Sequence, residues 1–260
     1  TRGRQVFYGL LALGWRGEAR HWARFETLSL LLEGLAVPLV FSVHSMVALD
    51  FSEALLPGWH STIFPPFFVA GALFSGFAMV LVLGIPLRRF YGLGNVITER
   101  HIDNLAKMML AAGLFVDYSY LSEIFTAFYS GDPYDIAMTM QRFTGAYAWV
   151  FWTTIACNVV AIQALWWPRL RHHHGVLFAL GIVVLVGMWF ERLMLIVSSL
   201  YRDFLPSSWG MFYPTLWDLA FLFGSIGLFF ALFLLFVRVL PLVSMFELRK
   251  LVHRHGGVAA

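Results

Sequence analysis

The stretch PPFFVAGALFSGFAMVLVLGIPLRR, residues 65–89, decides the fold of this protein. Every residue before Arg88 in it is uncharged. A helix needs about 20 mostly apolar residues to cross a hydrocarbon core of about 30 Å, and this stretch is long enough. Prolines are tolerated in the first helical turn, and arginines are typical of the membrane boundary. The stretch therefore predicts one membrane-spanning helix that starts at the prolines.

Five further apolar runs of similar length lie along the chain. Of the 260 residues, 60% are hydrophobic and 13% are charged, which excludes an ordinary soluble domain. The connections are short, so nearly all backbone polar groups must be satisfied within helices. We therefore predict an all-α fold, a polytopic transmembrane helical bundle of about six spans. The spans are expected at residues 26–46, 65–85, 108–128, 146–166, 176–198 and 217–237.

The basic residues alternate along the chain with connections that are nearly free of them. The connections at 50–64, 130–141 and 201–214 carry mostly acids and aromatics. By the positive-inside rule these three loops face outward and both ends of the chain are cytoplasmic. The net charge of +3 follows this topology, so no nucleic-acid partner is expected. The basic clusters are Arg2, Arg4, Arg16, Arg20, Arg24; Arg88, Arg89, Arg100, Lys107; Arg169, Arg171; and Arg238, Arg249, Lys250, Arg254.

The same pattern divides the chain into three regions. Residues 1–25 form a cytoplasmic interfacial segment, in which a short amphipathic helix is expected at 6–15. Residues 26–240 form the six-span bundle, and residues 241–260 form a basic cytoplasmic tail. The first region has the character of an internal loop, so we expect the chain to be the C-terminal part of a longer protein.

The first span carries a stripe of titratable groups. Glu26, Glu33 and His44 are spaced so that, at 100° per residue, they fall on one helix face. Such a stripe suits a proton path, although Glu26 at the interface and an ion pair of Glu33 with an arginine explain it equally well. Asp50 joins the face of His44 only if the helix ends or bends before Asp50. A carboxylate and an imidazole there would bind and deprotonate a hydroxyl.

The third and fifth spans also hold charged groups at bilayer depth, where an unpaired charge is costly. The third span contains Asp117, Tyr118 and Glu123, with Tyr120 on the face of Glu123. The fifth span contains Glu191 and Arg192. Because neighbouring residues diverge by 100°, Arg192 is expected to pair with Asp117 or Glu123 rather than with Glu191. These residues suit a proton path or a purely structural ion pair.

The sequence predicts no redox cofactor or metal site. A membrane b-type haem generally needs two facing histidines, and His44 is the only histidine well inside a predicted span. The triplet at 172–174 is most simply a solvated basic turn. The single cysteine, Cys157, excludes a thiolate cluster for iron–sulfur or zinc, so we expect no haem and no iron–sulfur cluster in this chain.

Three segments resemble the NrfD/PsrC-like integral membrane subunits of bacterial alternative complex III, the ActC type more than the ActF type. They are the run SVHSMVALDFSEALLPGWHSTIFPPFFVAGALFSGFAMV at 42–80, the residues around Ile97 to His101 together with Asp117 to Glu123, and GMWFERLMLIVSSLYRDFLPSSWGMFYPT at 187–215. The similarity covers nearly the whole chain.

The resemblance implies a subunit of a quinol:acceptor oxidoreductase in the bacterial inner membrane. Its substrate would be menaquinol or ubiquinol, and its partners would be an iron–sulfur subunit and c-type haem subunits on the outer face, a second NrfD-like membrane subunit and lipids. The family fold has ten helices in two four-helix bundles, of which this chain would supply the fifth to the tenth. The remaining helices of the first bundle, with further pocket residues, are absent from the sequence.

By the same resemblance, His44 and Asp50 would be the catalytic, quinol-binding residues. The residues of the second bundle's proton path would be Asp117, Tyr118, Glu123, Glu191 and Arg192. Glu26 and Glu33 are candidates for a proton path on their helical spacing alone. Two other interpretations stay open: a proton channel or transporter without quinone, and a structural anchor for external redox subunits.

Overall fold

A computed structural model describes residues 2–56, 58–202 and 205–239, and the described chain is helical, without strands. These described residues form nine α-helices connected by short turns, and α6 runs on through a π-helical turn, Ala156–Val160, and a 3-10 segment, Ala161–Trp166. The helices are α1 (Arg2–Leu11), α2 (Ala19–Ser52), α3 (Phe64–Phe90), α4 (Glu99–Ser130), α5 (Pro133–Thr144), α6 (Ala148–Ile155), α7 (Pro168–Arg171), α8 (His174–Leu200) and α9 (Leu216–Val239).

The predicted all-α membrane bundle is confirmed. Within the described residues, five helical segments are long and apolar enough to cross a membrane: α2, α3, the continuous segment Ala148–Trp166, α8 and α9. The remaining predicted span, 108–128, lies in α4, which has 32 residues and is less apolar because it carries Asp117 and Glu123. Helix α4 packs against α3 and against the segment that begins with α6.

The core of the molecule lies between α3, α4, α8 and the segment Ala148–Trp166. Large side chains fill it, including Phe74, Met109 and Val184, none of which is exposed. Gly113 permits the closest approach of α4 to the α6 segment, because a Cβ there would lie 2.0 Å from Cδ1 of Ile162. Close backbone packing through small residues is the usual way in which membrane helices associate.

Helices α2 and α9 lie at the edge of this core. In the described residues, α2 packs mainly on α3 and buries only Ala48, while α9 buries only Val237. Their exposed surfaces are dominated by Leu, Val and Phe side chains. These faces are suited to lipid or to neighbouring membrane helices.

Ion pairs tie the helix ends together on one side of the bundle, which we call the basic end. Glu99 contacts Arg88 at 2.7 Å and His174 at 2.8 Å, which joins α3, α4 and α8. Asp103 contacts Lys107 at 2.5 Å and Arg171 at 3.1 Å. The hydrogen bond from Lys107, together with that from Arg171, holds the pKa of the Asp103 carboxyl below its ordinary value. The basic side chains are thus partly neutralised by acids on α4.

The other side, which we call the aromatic end, departs from the sequence prediction. The connection expected at 130–141 is instead mostly helix α5. Asp132 is its N-cap and accepts a hydrogen bond from the Tyr134 amide, and Pro133 occupies the first turn. This capping pattern in the sequence identifies the helix, but the shortness of the segment favoured a loop.

The N-terminal helix is present but begins and ends four residues before the predicted range of 6–15. Helix α2 already begins at Ala19, so the first long helix extends into the region assigned to the interfacial segment. The basic tail predicted at 241–260 lies outside the described residues.

Candidate functional site

A buried polar network crosses the core between α4, the α6 segment and α8. The Tyr120 hydroxyl donates a hydrogen bond to Oε2 of Glu191, and Nδ2 of Asn158 donates to the Tyr120 oxygen at 3.3 Å. Glu191 and Asn158 are completely buried, and Tyr120 is 4% exposed. Glu191 lies nine residues before the end of α8, which places it about 14 Å inside the aromatic end. A carboxyl group at this depth needs partners or a function.

The position of Asn158 depends on an irregular helix turn. Asn158 is the central residue of the π-helical turn Ala156–Val160, and such turns are frequent at functional sites. Opposite it lies Gly187 of α8, where a Cβ would stand 2.1 Å from Oδ1 of Asn158 and 2.6 Å from Cβ of Cys157. The glycine and the π-turn together bring the amide to the Tyr120 hydroxyl.

Arg192 is the neighbour of Glu191, and its predicted pairing with Asp117 or Glu123 is wrong. Its Nη2 lies 3.5 Å from Oε1 of Glu191, and its guanidinium lies 4.4 Å from the centre of the Phe68 ring on α3. Neighbouring residues of a helix point about 100° apart, but the Arg192 side chain is long enough to reach back to Glu191. The aromatic face supplies a second favourable contact for the cation.

Glu123 instead pairs with Arg142 of α5. The Arg142 Nη1 to Glu123 Oε1 distance is 2.6 Å, and Arg142 is 6% exposed. Gly58 packs directly on this guanidinium, since a Cβ there would lie 3.0 Å from Nη2. Arg142 directly follows the predicted connection at 130–141 and lies outside the predicted spans, so the sequence did not predict this pairing.

The ion pair borders a cleft at the aromatic end, which we call the outer polar cleft. The cleft has a volume of about 710 Å³. Its lining includes Glu123, Tyr118, His60 and Asp135. His60 Nε2 lies 3.4 Å from Asp135 Oδ2. Glu123 lies seven residues before the end of α4, about 10 Å from that end, so the cleft connects it to the surface.

A second polar chain lies toward the basic end. Asp117 Oδ2 accepts a hydrogen bond from Nε2 of Gln163 at 3.1 Å, and Oε1 of Gln163 accepts one from the Trp166 indole at 2.8 Å. Within the described residues, Oδ1 of Asp117 has no hydrogen-bond partner. The 3-10 segment that ends at Trp166 positions both α6-side partners. Asp117 and Tyr120 are three residues apart on α4, so this chain lies within one helical turn of the buried network.

The sites predicted on the first span lie apart from this network. Helix α2 continues to Ser52, so it does not end before Asp50. A separation of six helical residues turns Asp50 away from the face of His44. His44 is half-buried, with Nδ1 2.8 Å from the carbonyl oxygen of Val40, while Asp50 and Glu33 are exposed and Glu26 is half-buried. None of these four residues lines the outer polar cleft or a second cleft at the aromatic end, which has a volume of about 600 Å³ and shares His60 with the first.

Sequence reasoning missed three side chains of the core: Asn158, Gln163 and Arg142. Asn158 and Gln163 are amides inside the apolar run at 146–166, and a polar residue inside a span is itself a signal. Arg142 is one of few bases near the aromatic end, which was a weaker signal. Together the core residues offer carboxyl, phenol and amide groups at successive depths, an arrangement that can store a proton and pass it on.

An all-helical bundle with titratable groups buried at several depths defines a polytopic membrane protein with a polar core. The family model for polysulphide reductase, NrfD, matches residues 8–202, which is most of the chain. The chain therefore belongs to the NrfD family. It is also 26% identical over 183 residues to a putative membrane subunit of dimethyl sulfoxide reductase from Halobacterium salinarum (strain ATCC 700922 / JCM 11081 / NRC-1). The match covers 69% of this chain and 41% of that protein, so the chain spans less than half of the relative's length.

Proposed function

We propose that this chain is a membrane subunit of a quinol:electron acceptor oxidoreductase, of the alternative complex III type. Membership of the NrfD family supports a membrane subunit of a redox complex. The name of the relative, a reductase membrane subunit, agrees with that class. The single observation that carries the proposal further is the buried Glu191, Tyr120 and Asn158 network, because a redox complex that moves protons across a membrane needs titratable groups inside the bilayer.

In this proposal the aromatic end faces outward, the basic end is cytoplasmic and the membrane is the bacterial inner membrane. Menaquinol or ubiquinol binds at the outer part of α2, where His44 and Asp50 accept its protons. The exposed surface of α2 leaves room for further helices of a longer protein to complete the pocket around these residues. Electrons leave to an iron–sulfur subunit on the outer face and then to c-type haem subunits, with a second NrfD-like subunit alongside.

The same proposal gives the core a role in proton translocation. A proton entering from the basic end reaches Asp117, which Gln163 and Trp166 hold in place, and then the Tyr120 and Glu191 pair. From there Glu123 and the outer polar cleft, with Tyr118 in its wall, lead to the aromatic end. Arg192 stabilises the charged form of Glu191. Glu26 and Glu33 offer a separate route along α2.

Quinol-dependent reduction of the acceptor by the intact complex tests the quinol site. We expect Asp50→Asn and His44→Gln each to lower turnover at least about tenfold, since positioned proton acceptors contribute factors of this size or more. Glu53→Gln is the matched control, because Glu53 is an exposed carboxylate three residues further along the chain. Normal turnover in Asp50→Asn, with the complex fully assembled, would remove Asp50 from the mechanism.

A proton-conducting module without quinone is the second candidate. It is favoured because neither His44 nor Asp50 lines either cleft of the aromatic end. It predicts proton flux that depends on Glu191 in a complex that neither retains quinone nor oxidises quinol. Quinone extraction from the purified complex separates the two candidates. A purely structural anchor would show neither quinol oxidation that depends on His44 and Asp50 nor proton flux that depends on Glu191.

A further inference from the structure

A third cleft lies at the basic end, away from the residues of the proposed quinol pocket and proton path. We call it the basic-end cleft. It has a volume of about 790 Å³ and lies between the end of α3, the turn that follows it and the start of α8. Arg88, Arg89 and His174 lie on its polar side, and Ile85, Phe90 and Phe178 on its apolar side. A cleft at the end of a membrane-spanning helix with these two sides suits an amphipathic ligand.

The two arginines differ in how they are held. Arg88 is fixed in place: Nε donates to the Ile97 carbonyl oxygen at 2.6 Å, Nη2 contacts Glu99 at 2.7 Å, and Nη1 lies 3.3 Å from Nε2 of His174. Arg89 is exposed and forms no ion pair with any residue in the part of the chain that the structure describes. One acid, Glu99, therefore stands against two arginines, and the cleft keeps a net positive charge with Arg89 available to a ligand.

The turn after α3 keeps the cleft open. Gly92 has a φ of +64°, a left-handed conformation that side chains rarely adopt, and it reverses the chain directly after Phe90 and Tyr91. A Cβ on Gly94 would approach Nη2 of Arg88 at 3.9 Å. The glycines thus leave backbone rather than side chains facing the arginines.

The apolar side of the basic-end cleft favours a phospholipid over a free phosphate ion. Phe90 is 82% exposed, and Phe178 is half-buried beside it. A free phosphate ion would use the arginines and leave these rings in contact with water. A phospholipid would place its phosphate on Arg89 and Arg88 and lay its acyl chains along Ile85 and the two rings, as basic pockets between membrane helices do for anionic headgroups.

We propose that the basic-end cleft is a binding site for an anionic phospholipid, with Arg89 as its main headgroup ligand. The lipid would fill the space between α3 and α8 and reinforce the junction that Arg88, Glu99 and His174 make. This site is independent of the quinol chemistry, because it shares no residue with the proposed quinol pocket or proton path.

Electron spin resonance on the intact complex in nanodiscs tests the proposal, with spin-labelled phosphatidylglycerol and phosphatidylcholine as the probes. The parent complex should immobilise phosphatidylglycerol preferentially. Loss of one surface arginine weakens attraction to an anionic headgroup about fivefold, so Arg89→Gln should lower the preference by about that factor. Arg100→Gln is the matched control, an exposed arginine at the same end that does not line the cleft.

Two further measurements separate a lipid from a free anion. Phe90→Ser should weaken immobilisation of the lipid, because it removes part of the apolar wall from an exposed position that the fold does not need. Millimolar inorganic phosphate should leave the immobilised phosphatidylglycerol in place. The proposal is overturned if Arg89→Gln retains the parent preference, if Arg100→Gln loses as much, or if inorganic phosphate displaces the lipid.

Discussion

The hydroxyl of Tyr120 on α4 donates a hydrogen bond to the Glu191 carboxyl on α8, in the fully buried centre of the bundle. The bond links α4 to α8 inside the core, and the Glu99 and His174 pair links the same two helices at the basic end. It fixes one oxygen of Glu191, while the other oxygen faces Arg192 at 3.5 Å. Glu191 thus has a neutralising cation on one side and a proton donor on the other, which are the partners of a group that changes its protonation.

Replacing Glu191 with Gln should lower quinol-dependent turnover of the intact complex about 100-fold, because a general acid–base group contributes at least that much when it lies on the proton route. Tyr120→Phe removes the hydroxyl but keeps the ring against Phe67, so we expect a smaller loss, about tenfold. Steady-state rates with the complex quantified by its protein content measure both effects. Unchanged turnover in Glu191→Gln would show that the network is structural.

The Glu123 and Arg142 pair should contribute to stability in a non-additive way. Removing one partner by Glu123→Leu or Arg142→Met leaves a buried group without its counter-charge, which costs about 3–5 kcal/mol. Replacing both, by Glu123→Leu with Arg142→Met, should cost much less, since a buried ion pair is often equivalent to an apolar pair.

Thermal unfolding of the parent, the two single variants and the double variant completes a double-mutant cycle, with an expected coupling of at least about 3 kcal/mol, since each single replacement costs about 3–5 kcal/mol and the double one much less. Additive losses would mean that the two side chains stabilise α4 and α5 separately. Gly58, which packs on the guanidinium, would then be the more important contact of Arg142.

The sequence predicted the helical bundle well because each span is a long apolar run between charged ends. The residues at 65–85 all lie within α3, and those at 176–198 all lie within α8. It predicted less about the partners of buried charges, because a helical angle gives the direction of a Cα–Cβ bond but not the reach of a long side chain. Arg192 curls back to its neighbour Glu191 for that reason.

The sequence also did not predict where the backbone departs from a regular α-helix. An apolar run gives no sequence signal for the π-turn around Asn158. The role of the turn follows from the structure, in which Gly187 packs closely against Asn158. Helix α5 was missed because its 12 residues are short and mixed in polarity, although Asp132 and Pro133 carry an ordinary helix-start signal.

The basic end should lose stability in acid. The pKa of the Asp103 carboxyl is held below its ordinary value by Lys107 and Arg171. Its contribution is therefore fully present above the unfolded pKa of about 3.9 and is lost as the pH falls through the lower, folded value. We expect about 0.5–1 kcal/mol, because the pair lies at helix ends and is screened by solvent.

Unfolding temperatures between pH 7 and pH 3 measure this contribution. Asp103→Asn should lower stability near pH 7 and reduce the loss on acidification. Lys107→Met should retain part of the acid dependence, since Arg171 still contacts the carboxylate. An acid dependence that is identical in Asp103→Asn and the parent would place the sensitive group elsewhere.

Gly187→Ala should destabilise the protein by about 1–3 kcal/mol, the usual cost of overpacking a filled interior. The added methyl would meet Oδ1 of Asn158 at 2.1 Å and Cβ of Cys157 at 2.6 Å, and the second atom lies too close to the backbone to move freely. Gly76→Ala is the matched control in a membrane helix, because a Cβ there meets nothing within 4 Å and alanine favours the helix. Thermal unfolding gives the cost, and turnover reports whether Asn158 has been pushed from the Tyr120 hydroxyl. If Gly187→Ala is as stable as Gly76→Ala, the π-turn accommodates the methyl and the tight packing of α8 on Asn158 is not needed for the fold.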